Sequence, residues 1–241
     1  MHPRTVDAQC LALEGGAIVF DRARLAQVDP GWFEPVGERM SPGGGRGAVW
    51  RVLTPAGPAV LRHYRRGGLV ARFSQDRYLW TGAGCTRSVR EFRLLARLRE
   101  MDLPVPAPLA ARWQRRNLSY TADLLTAEID GARTLAELLP AVVEDAAALE
   151  ALGRTLARFH RAGVCHADLN AHNVLRDRHG VWWLIDFDRG SLRPPRPGWW
   201  RRRLARLQRS LGKLGRLDDA AGRQAWARVC LAHDAALRDV R

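Results

Sequence analysis

Two short stretches of this sequence carry residues whose types and spacing could do chemistry. The polar stretch 166–173 contains Asp168 and ends at Asn173, and Asp186 follows 13 positions later. An ionised carboxylate can accept the proton of a hydroxyl, and carboxylate and amide oxygens are the ligands that Mg²⁺ prefers. Transfer of a phosphoryl group requires both kinds of group, because a hydroxyl must attack while the phosphoryl charge is neutralised.

The spacing of these residues is more informative than any one of them. Asn173 lies five positions after Asp168, and the interval to Asp186 leaves room for one β-hairpin that returns the second carboxylate to the first. Singly, Asp168 and Asn173 could form an Asx turn beside a helix, and Asp186 could pair with one of many arginines. Together, between a glycine-capped helix and Phe187, they favour phosphoryl transfer.

The stretch 166–173 resembles the H-x-D-x-x-x-x-N catalytic loop of protein-kinase-like enzymes, and 185–188 resembles the D-F-G that follows it. The resemblance implies that Asp168 orients the acceptor hydroxyl and takes its proton. It also implies that Asn173 and Asp186 bind Mg²⁺ and that ATP is the phosphoryl donor. The fold that it implies is α+β and protein-kinase-like, with an N-terminal antiparallel-sheet lobe and a mostly helical C-terminal lobe.

The candidates for ATP binding follow the kinase pattern less closely. Gly44, Gly47 and Val49 match the latter part of the motif G-x-G-x-x-G-x-V, although proline stands in place of the first glycine. Such glycines let backbone amides approach phosphates. Arg62 ends the next predicted strand, where the family has a lysine, and Glu91 on the following helix is its expected partner. The alternatives are a flexible glycine loop and an ordinary surface acid.

Predicted elements divide the chain near residue 130. Strands are expected at 16–22, 48–53, 59–64 and within 109–129, helices at 88–101, from 134 and at 146–162, and a hairpin around 177–180. We predict a nucleotide-binding lobe at residues 1–127 and a catalytic lobe at 128–241.

The composition indicates a globular cytoplasmic protein with an anionic partner. The 241 residues are 46% hydrophobic, and we expect neither a membrane-spanning run nor a signal peptide. The four cysteines are too scattered for a disulfide framework or a zinc site. The net charge is +14, and all but one of the 39 basic residues are arginine. Anionic ligands or genomic base composition would each explain the arginines. Nucleic acid is disfavoured, because no recognition motif is present.

Over residues 30–215 the chain is similar to the lipopolysaccharide core kinases, most closely those of 3-deoxy-D-manno-octulosonic acid (Kdo). The likeness rests on an insertion at 62–84 and on the 168–173 motif. It implies phosphorylation of the Kdo sugar of Kdo-lipid A at the cytoplasmic face of a Gram-negative inner membrane. Arginines near the insertion could clamp this anionic sugar or form a solvated basic face. They are Arg62, Arg65, Arg66, Arg72 and Arg77.

Residues 199–216 predict a basic amphipathic helix. Its apolar stripe consists of Trp200, Leu204, Leu207, Leu211 and Leu214, and basic residues fill the other faces. This pattern is typical of a peripheral helix that lies on an anionic membrane. The alternative is that the stripe packs against the second lobe.

Two other functions stay open. One is a kinase-fold phosphotransferase for another acceptor, such as an aminoglycoside, choline, a core heptose or a protein. The other is a pseudokinase or basic binding module, since the usual lysine is missing. Ala167 replaces the arginine of regulated protein kinases and no A-P-E motif follows, so we expect a constitutive enzyme.

Overall fold

The protein is described by a computed structural model that covers residues 5–34, 39–40, 49–65, 76–194, 196, 198–215 and 217–239. The chain divides into two compact units. The first unit comprises Met1–Asp102 and Pro106–Glu128, and the second comprises Leu103–Val105 and Ile129–Arg241. The division therefore does not fall at one point of the chain, because a short segment before residue 106 belongs to the second unit.

The first unit is built around an antiparallel sheet. Its strands are β1 (Ala8–Leu13), β2 (Gly16–Asp21), β3 (Arg39–Met40), β4 (Val49–Thr54), β5 (Gly57–His63), β6 (Tyr78–Leu79), β7 (Pro108–Arg116) and β8 (Ser119–Ala127). Within the described residues, these eight strands take the order β1-β2-β7-β8-β5-β4-β3, and β6 pairs with β8. Helix α1 (Arg87–Glu100) packs on β7 and β8.

Local sequence explains why these strands pair and bury one face. The Thr54 hydroxyl donates to the Gly57 carbonyl at 2.8 Å, and Gly57 has a φ of +100°, so a glycine closes the turn between β4 and β5. The core of the sheet includes Ile18, Leu61 and Leu125. Burial of each such side chain stabilises the unit by about 1.5–3 kcal/mol.

The second unit is mostly helical. Its elements are β9 (Arg133–Thr134), α2 (Leu135–Val142), α3 (Ala146–Arg161), β10 (Val164–Cys165), β11 (Val174–Arg176), β12 (Trp182–Leu184), β13 (Ser191–Leu192), α4 (Arg201–Lys213) and α5 (Ala220–Arg238). Strands β9, β11 and β12 form a small antiparallel sheet, and β10 pairs with β13.

Helices α3 and α5 form the main packing contact of this unit. Gly153 lets them approach closely, because a Cβ at this position would lie 2.4 Å from the Val229 carbonyl oxygen. The Asp145 side chain caps α3 by accepting from the Ala148 amide at 2.9 Å. The α3 helix ends before Gly163, whose φ of +75° reverses the chain as predicted from the sequence.

The predicted mixture of antiparallel sheet and helices is confirmed, as are the β4–β5 and β11–β12 hairpins and helices α1 and α3. Strand β1 and helix α5 were not predicted, because neither has a clean apolar period. In the described part of the chain, no helix combines the length and the apolar character that crossing a membrane requires.

Candidate active site

The loop 166–173 begins directly after a constrained turn. Helix α3 stops before Gly163, where a Cβ would lie 2.0 Å from the carbonyl oxygen of Arg193. Only glycine fits this position, because it has both a positive φ and no room for a side chain. The chain then passes through β10 and delivers His166 to the start of the loop.

His166 ties the loop to the strand end that carries Asp186. Its ring is buried, and its Nδ1 accepts from the Asp168 amide at 3.2 Å. Its Nε2 lies 2.9 Å from the Ile185 carbonyl and therefore carries the proton and donates. Burial lowers the pKa of His166, which keeps the ring in this neutral form. His166 has a structural part, since its ring nitrogens are used in bridging the two segments.

Asn173 closes the loop from the other end. Its Nδ2 donates to the Asp168 carbonyl at 2.9 Å, and its own carbonyl accepts from the Ile185 amide at 3.1 Å. The Asn170 side chain accepts from the amides of His172 and Asn173, which is an Asx turn inside the loop. This turn is formed by Asn170 and not by Asp168 or Asn173, for which the Asx turn was the alternative, and it shapes the loop.

Asp186 has an unusual backbone conformation. Its φ is +61°, in the left-handed region that costs an ordinary residue about 1–2 kcal/mol and that aspartate tolerates better than most. The next residue, Phe187, is buried, with its ring centroid 4.7 Å from that of His166 and 6.1 Å from that of Phe159. Buried Phe187 fixes the backbone on one side of Asp186, and the bond from Ile185 to Asn173 fixes it on the other. Strain held in this way is common at functional sites.

Hydrogen bonds within the second unit thus link the loop that carries Asp168 and Asn173 to the segment that carries Asp186. Asp168 and Asn173 are bonded directly, and Ile185, the residue before Asp186, is bonded to both Asn173 and His166. The β11–β12 hairpin returns the chain to the loop in the way that the spacing predicts.

Arg206 on α4 is a member of this site that the sequence reasoning missed. Its Nε donates to Asp168 Oδ1 at 2.9 Å, and its Nη2 donates to the same oxygen. Partial burial raises the pKa of Asp168, but the hydrogen bonds from Arg206 and Asn170 outweigh it and hold the pKa below its ordinary value. The Asp168 carboxylate is therefore ionised at neutral pH. The sequence signals only a basic helix here, and nothing in it singles out one arginine.

The apolar stripe of α4 packs inside the protein. Leu204, Leu207 and Leu211 are buried within the second unit, and Leu214 is exposed. The prediction that this stripe lies in a membrane is therefore wrong for its three buried leucines, and the alternative of packing within the lobe is correct. Exposed basic residues remain on the other faces. Besides Arg206, they are Arg201, Arg202, Arg209 and Lys213.

The first unit brings together three of the predicted nucleotide-binding residues. Val49 begins β4 and is the cross-strand partner of Arg62 on β5. Arg62 pairs with the buried carboxylate of Glu91 on α1, which also accepts from the Tyr64 hydroxyl at 2.6 Å. The expected partnership of Arg62 with Glu91 is thus present. Gly44 and Gly47 lie outside the described residues.

The described members of the predicted arginine clamp make separate contacts. Arg62 is engaged with Glu91, and Nη1 of Arg77 donates to the Ser119 hydroxyl at 3.4 Å. Arg65 is exposed. Arg66 and Arg72 lie outside the described residues, so the clamp stays a prediction.

Comparison with known proteins identifies relatives over most of the chain. The sequence model of the lipopolysaccharide kinase (Kdo/WaaP) family matches residues 33–232. The chain is 55% identical to the 3-deoxy-D-manno-octulosonic acid kinase of Xanthomonas campestris pv. campestris (strain B100) over 83% of this chain and 81% of that protein. It is 53% identical, with the same coverage, to the protein of the same name in Stenotrophomonas maltophilia (strain K279a). The resemblance predicted from the catalytic motifs is confirmed, and the chain belongs to the lipopolysaccharide kinase (Kdo/WaaP) family.

Proposed function

We propose that this protein transfers the γ-phosphoryl group of ATP to a hydroxyl of Kdo, since its relatives are named 3-deoxy-D-manno-octulosonic acid kinases. The acceptor is the Kdo sugar of Kdo-lipid A. The observation that carries the proposal is a loop in which Asn173 is hydrogen-bonded to Asp168 and to Ile185, the residue before Asp186, in a chain of the lipopolysaccharide kinase family.

In this proposal, Asp168 orients the acceptor hydroxyl and accepts its proton. The carboxylate suits that part, because the contacts from Arg206 keep it ionised and fix one of its oxygens. A positioned base of this kind accelerates a reaction by about 10²–10⁴-fold.

Asn173 and Asp186 are the proposed Mg²⁺ ligands. The Nδ2 of Asn173 is bonded to the Asp168 carbonyl, and no described residue donates to its amide oxygen, so that oxygen fits a hard cation. Asp186 adds a carboxylate to the same segment. Bound with ATP, Mg²⁺ would neutralise charge on the phosphoryl oxygens.

Residues 1–127 are the proposed nucleotide-binding lobe of a protein-kinase-like enzyme and residues 128–241 its catalytic lobe, which correspond to the first and second units except at residues 103–105 and 128. Arg62 would take the place of the usual lysine toward the ATP phosphates. Its contact with Glu91 supports this, because a buried carboxylate holds the guanidinium in one position. Gly44, Gly47 and Val49 would cover the phosphates.

We further propose a peripheral position on the cytoplasmic face of the inner membrane. The net charge of +14 and the exposed basic residues of α4 support this position. Each basic residue near an anionic lipid surface contributes about 1 kcal/mol to the binding free energy. Because the leucines of α4 are buried, the attraction would be electrostatic and would not require insertion of this helix.

An acceptor screen tests the function against its alternatives. Purified enzyme with Mg²⁺ and radiolabelled ATP is offered a Kdo-lipid acceptor, a core heptose acceptor, an aminoglycoside, choline and a protein mixture. We expect label on the Kdo acceptor alone. Label on another acceptor instead would favour a different phosphotransferase, and no label on any would favour the pseudokinase.

A further inference from the structure

One face of α4 lies along the loop 166–173. Arg206 contacts Asp168, and the Ser210 hydroxyl accepts from the Ala171 amide at 3.1 Å. Residues four apart on a helix share a face, so α4 follows the loop over one turn. The helix thus presents side chains to the place where the proposed base lies.

The Arg206 guanidinium has donors beyond those that hold Asp168. The two hydrogen bonds to Asp168 use Nε and Nη2, and among the described residues no acceptor contacts Nη1. The side chain is 45% exposed, so a ligand that reaches Asp168 also reaches this guanidinium. Arginine presents its N–H groups in a planar fork that matches a carboxylate.

Arg203 adds a second positive charge on the same side of α4, one turn earlier. Its Nε is buried and has no hydrogen-bond partner among the described residues. Burial is the main cause that lowers the pKa of His166, and the positive charge of Arg203 lowers it further. The Ile185 carbonyl and the charges of Asp186 and Asp168 oppose this shift. Arg203 therefore adds positive charge near His166, the residue that accepts from the Asp168 amide.

We propose that Arg206 determines acceptor specificity by binding the carboxylate of an acidic sugar while it holds Asp168 beside the acceptor hydroxyl. This inference rests on the proposed function. It follows because the acceptor hydroxyl must lie within hydrogen-bond distance of Asp168, and Arg206 touches the same carboxylate. A neutral sugar would leave the guanidinium without a second anionic partner.

The test combines two acceptors with four enzymes. The acceptors are a Kdo-lipid and the same lipid with its Kdo carboxyl converted to the methyl ester. The enzymes are the wild type, Arg206→Gln, Arg206→Lys and Arg154→Gln. Arg154 is the matched control, because it is an exposed arginine on α3, outside the proposed membrane-binding residues of α4. For each pair kcat/KM is measured, with the KM for ATP and the thermal unfolding midpoint.

We expect the wild type and Arg154→Gln to prefer the acid over the ester by about 10- to 100-fold, the range of one charge-assisted contact. Arg206→Gln should use the two acceptors within about threefold of each other, with the KM for ATP unchanged. Arg206→Lys keeps the charge without the fork and should show an intermediate preference. This second variant keeps the test decisive if Arg206→Gln does not fold.

Three results would overturn the inference. One is a wild type that does not distinguish the acid from the ester. Another is an Arg206 variant that slows both acceptors by the same factor, because Arg206 would then act on Asp168 alone. A wild type that transfers no phosphate to either Kdo acceptor would overturn the proposed function itself and this inference with it.

Discussion

The contacts of Asp168 keep its carboxylate ionised and hold it in one orientation. Its amide donates to His166, its carbonyl accepts from Asn173, and its carboxylate accepts from Arg206. The backbone of Asp168 is fixed by neighbours in the loop, while its carboxylate is fixed by Arg206 on α4, 38 positions later in the chain. The geometry of the proposed base therefore depends on both local and long-range contacts.

Replacing the proposed base gives the first prediction. Asp168→Asn keeps the size of the side chain but cannot accept a proton, so kcat should fall by about 10²-fold or more while ATP still binds. Steady-state kinetics and calorimetric titration with ATP measure the two effects. Glu150→Gln, which removes a surface carboxylate of α3, serves as the control. A kcat for Asp168→Asn within a few-fold of the control's would exclude the role.

The second prediction concerns the strained residue Asp186. Asparagine tolerates a φ of +61°, so Asp186→Asn removes the charge without adding backbone strain. We expect the increase in ATP affinity on addition of Mg²⁺ to be lost and binding of metal-free ATP to change little. Nucleotide titrations with and without Mg²⁺ measure this. A variant that binds Mg-ATP as the wild type does would contradict the assignment.

Residues of the site differed in how well the sequence predicts them. Asp168, Asn173 and Asp186 lie within 19 positions of each other, so a local motif and one hairpin bring them together. Arg206 was out of reach, because its contact with Asp168 depends on how α4 docks on the loop. Among many arginines, composition cannot distinguish the one that docks.

At the scale of elements, α4 shows what a periodic pattern leaves open. The apolar stripe predicts a helix with one buried face, and that helix is present. The same stripe fits a membrane and a protein core, since both are apolar, so the covering surface could not be predicted. Burial of Leu207 and Leu211 within the second unit decides between them.

Two glycine-to-alanine substitutions test the close packing of α3 on α5, because they should change the free energy of unfolding in opposite directions. Gly153→Ala should lower the free energy of unfolding by about 1–3 kcal/mol, because its methyl group would force the helices apart. Gly212→Ala on α4 should raise it by about 0.5–1 kcal/mol, because its methyl group meets nothing within 4 Å and alanine favours helix. Urea unfolding of both variants measures the difference. Equal effects would show that close packing at Gly153 is unimportant.

A buried histidine pair in the same contact makes stability depend on pH. His160 Nδ1 lies 2.8 Å from His233 Nε2, and burial, with the charges of His233 and Arg203, lowers the pKa of His160 to about 3. In the unfolded chain His160 takes up a proton near pH 6.5, whereas in the folded chain it stays neutral at that pH. The contribution of His160 is therefore complete above pH 6.5 and declines as the pH falls toward 3.

The consequence is measurable at mild pH. Between pH 7 and pH 5 the wild type should lose about 2 kcal/mol more unfolding free energy than His160→Gln, which cannot be protonated. Urea unfolding at the two pH values measures this difference. An identical loss in both proteins would contradict a neutral His160 in the folded state. The nearby Asp234, which contacts His233, is unchanged in the comparison.

For the whole molecule, the net charge can be counted directly from the sequence, but its function cannot be predicted from it. The net charge of +14 predicts an anionic partner but not its identity. The structure divides the arginines into groups with different surroundings. Arg112 is buried and bonded to Asp123, Arg206 contacts the proposed base, and others on α4 are exposed.

The sheet of the first unit could be predicted as antiparallel, but its strand order depends on long-range pairing that no local pattern fixes.

The exposed basic residues of α4 give a prediction at this scale. Changing Arg201, Arg202, Arg209 and Lys213 together to Gln should weaken binding to vesicles that contain phosphatidylglycerol, by about 1 kcal/mol per charge. Arg206 is left intact, because it contacts Asp168. Co-sedimentation measures binding, with phosphatidylcholine vesicles as the control. Undiminished binding to the anionic vesicles would place the membrane contact elsewhere.

The position of the phosphate on the product tests the central claim most directly. Wild-type enzyme and Asp168→Asn are incubated with Mg²⁺, ATP and a Kdo-lipid acceptor, and the product is fragmented in a mass spectrometer. The account predicts one added phosphate on the Kdo fragment with the wild type and almost none with the variant. A wild-type product without phosphate on Kdo, or equal phosphorylation by the variant, would contradict it.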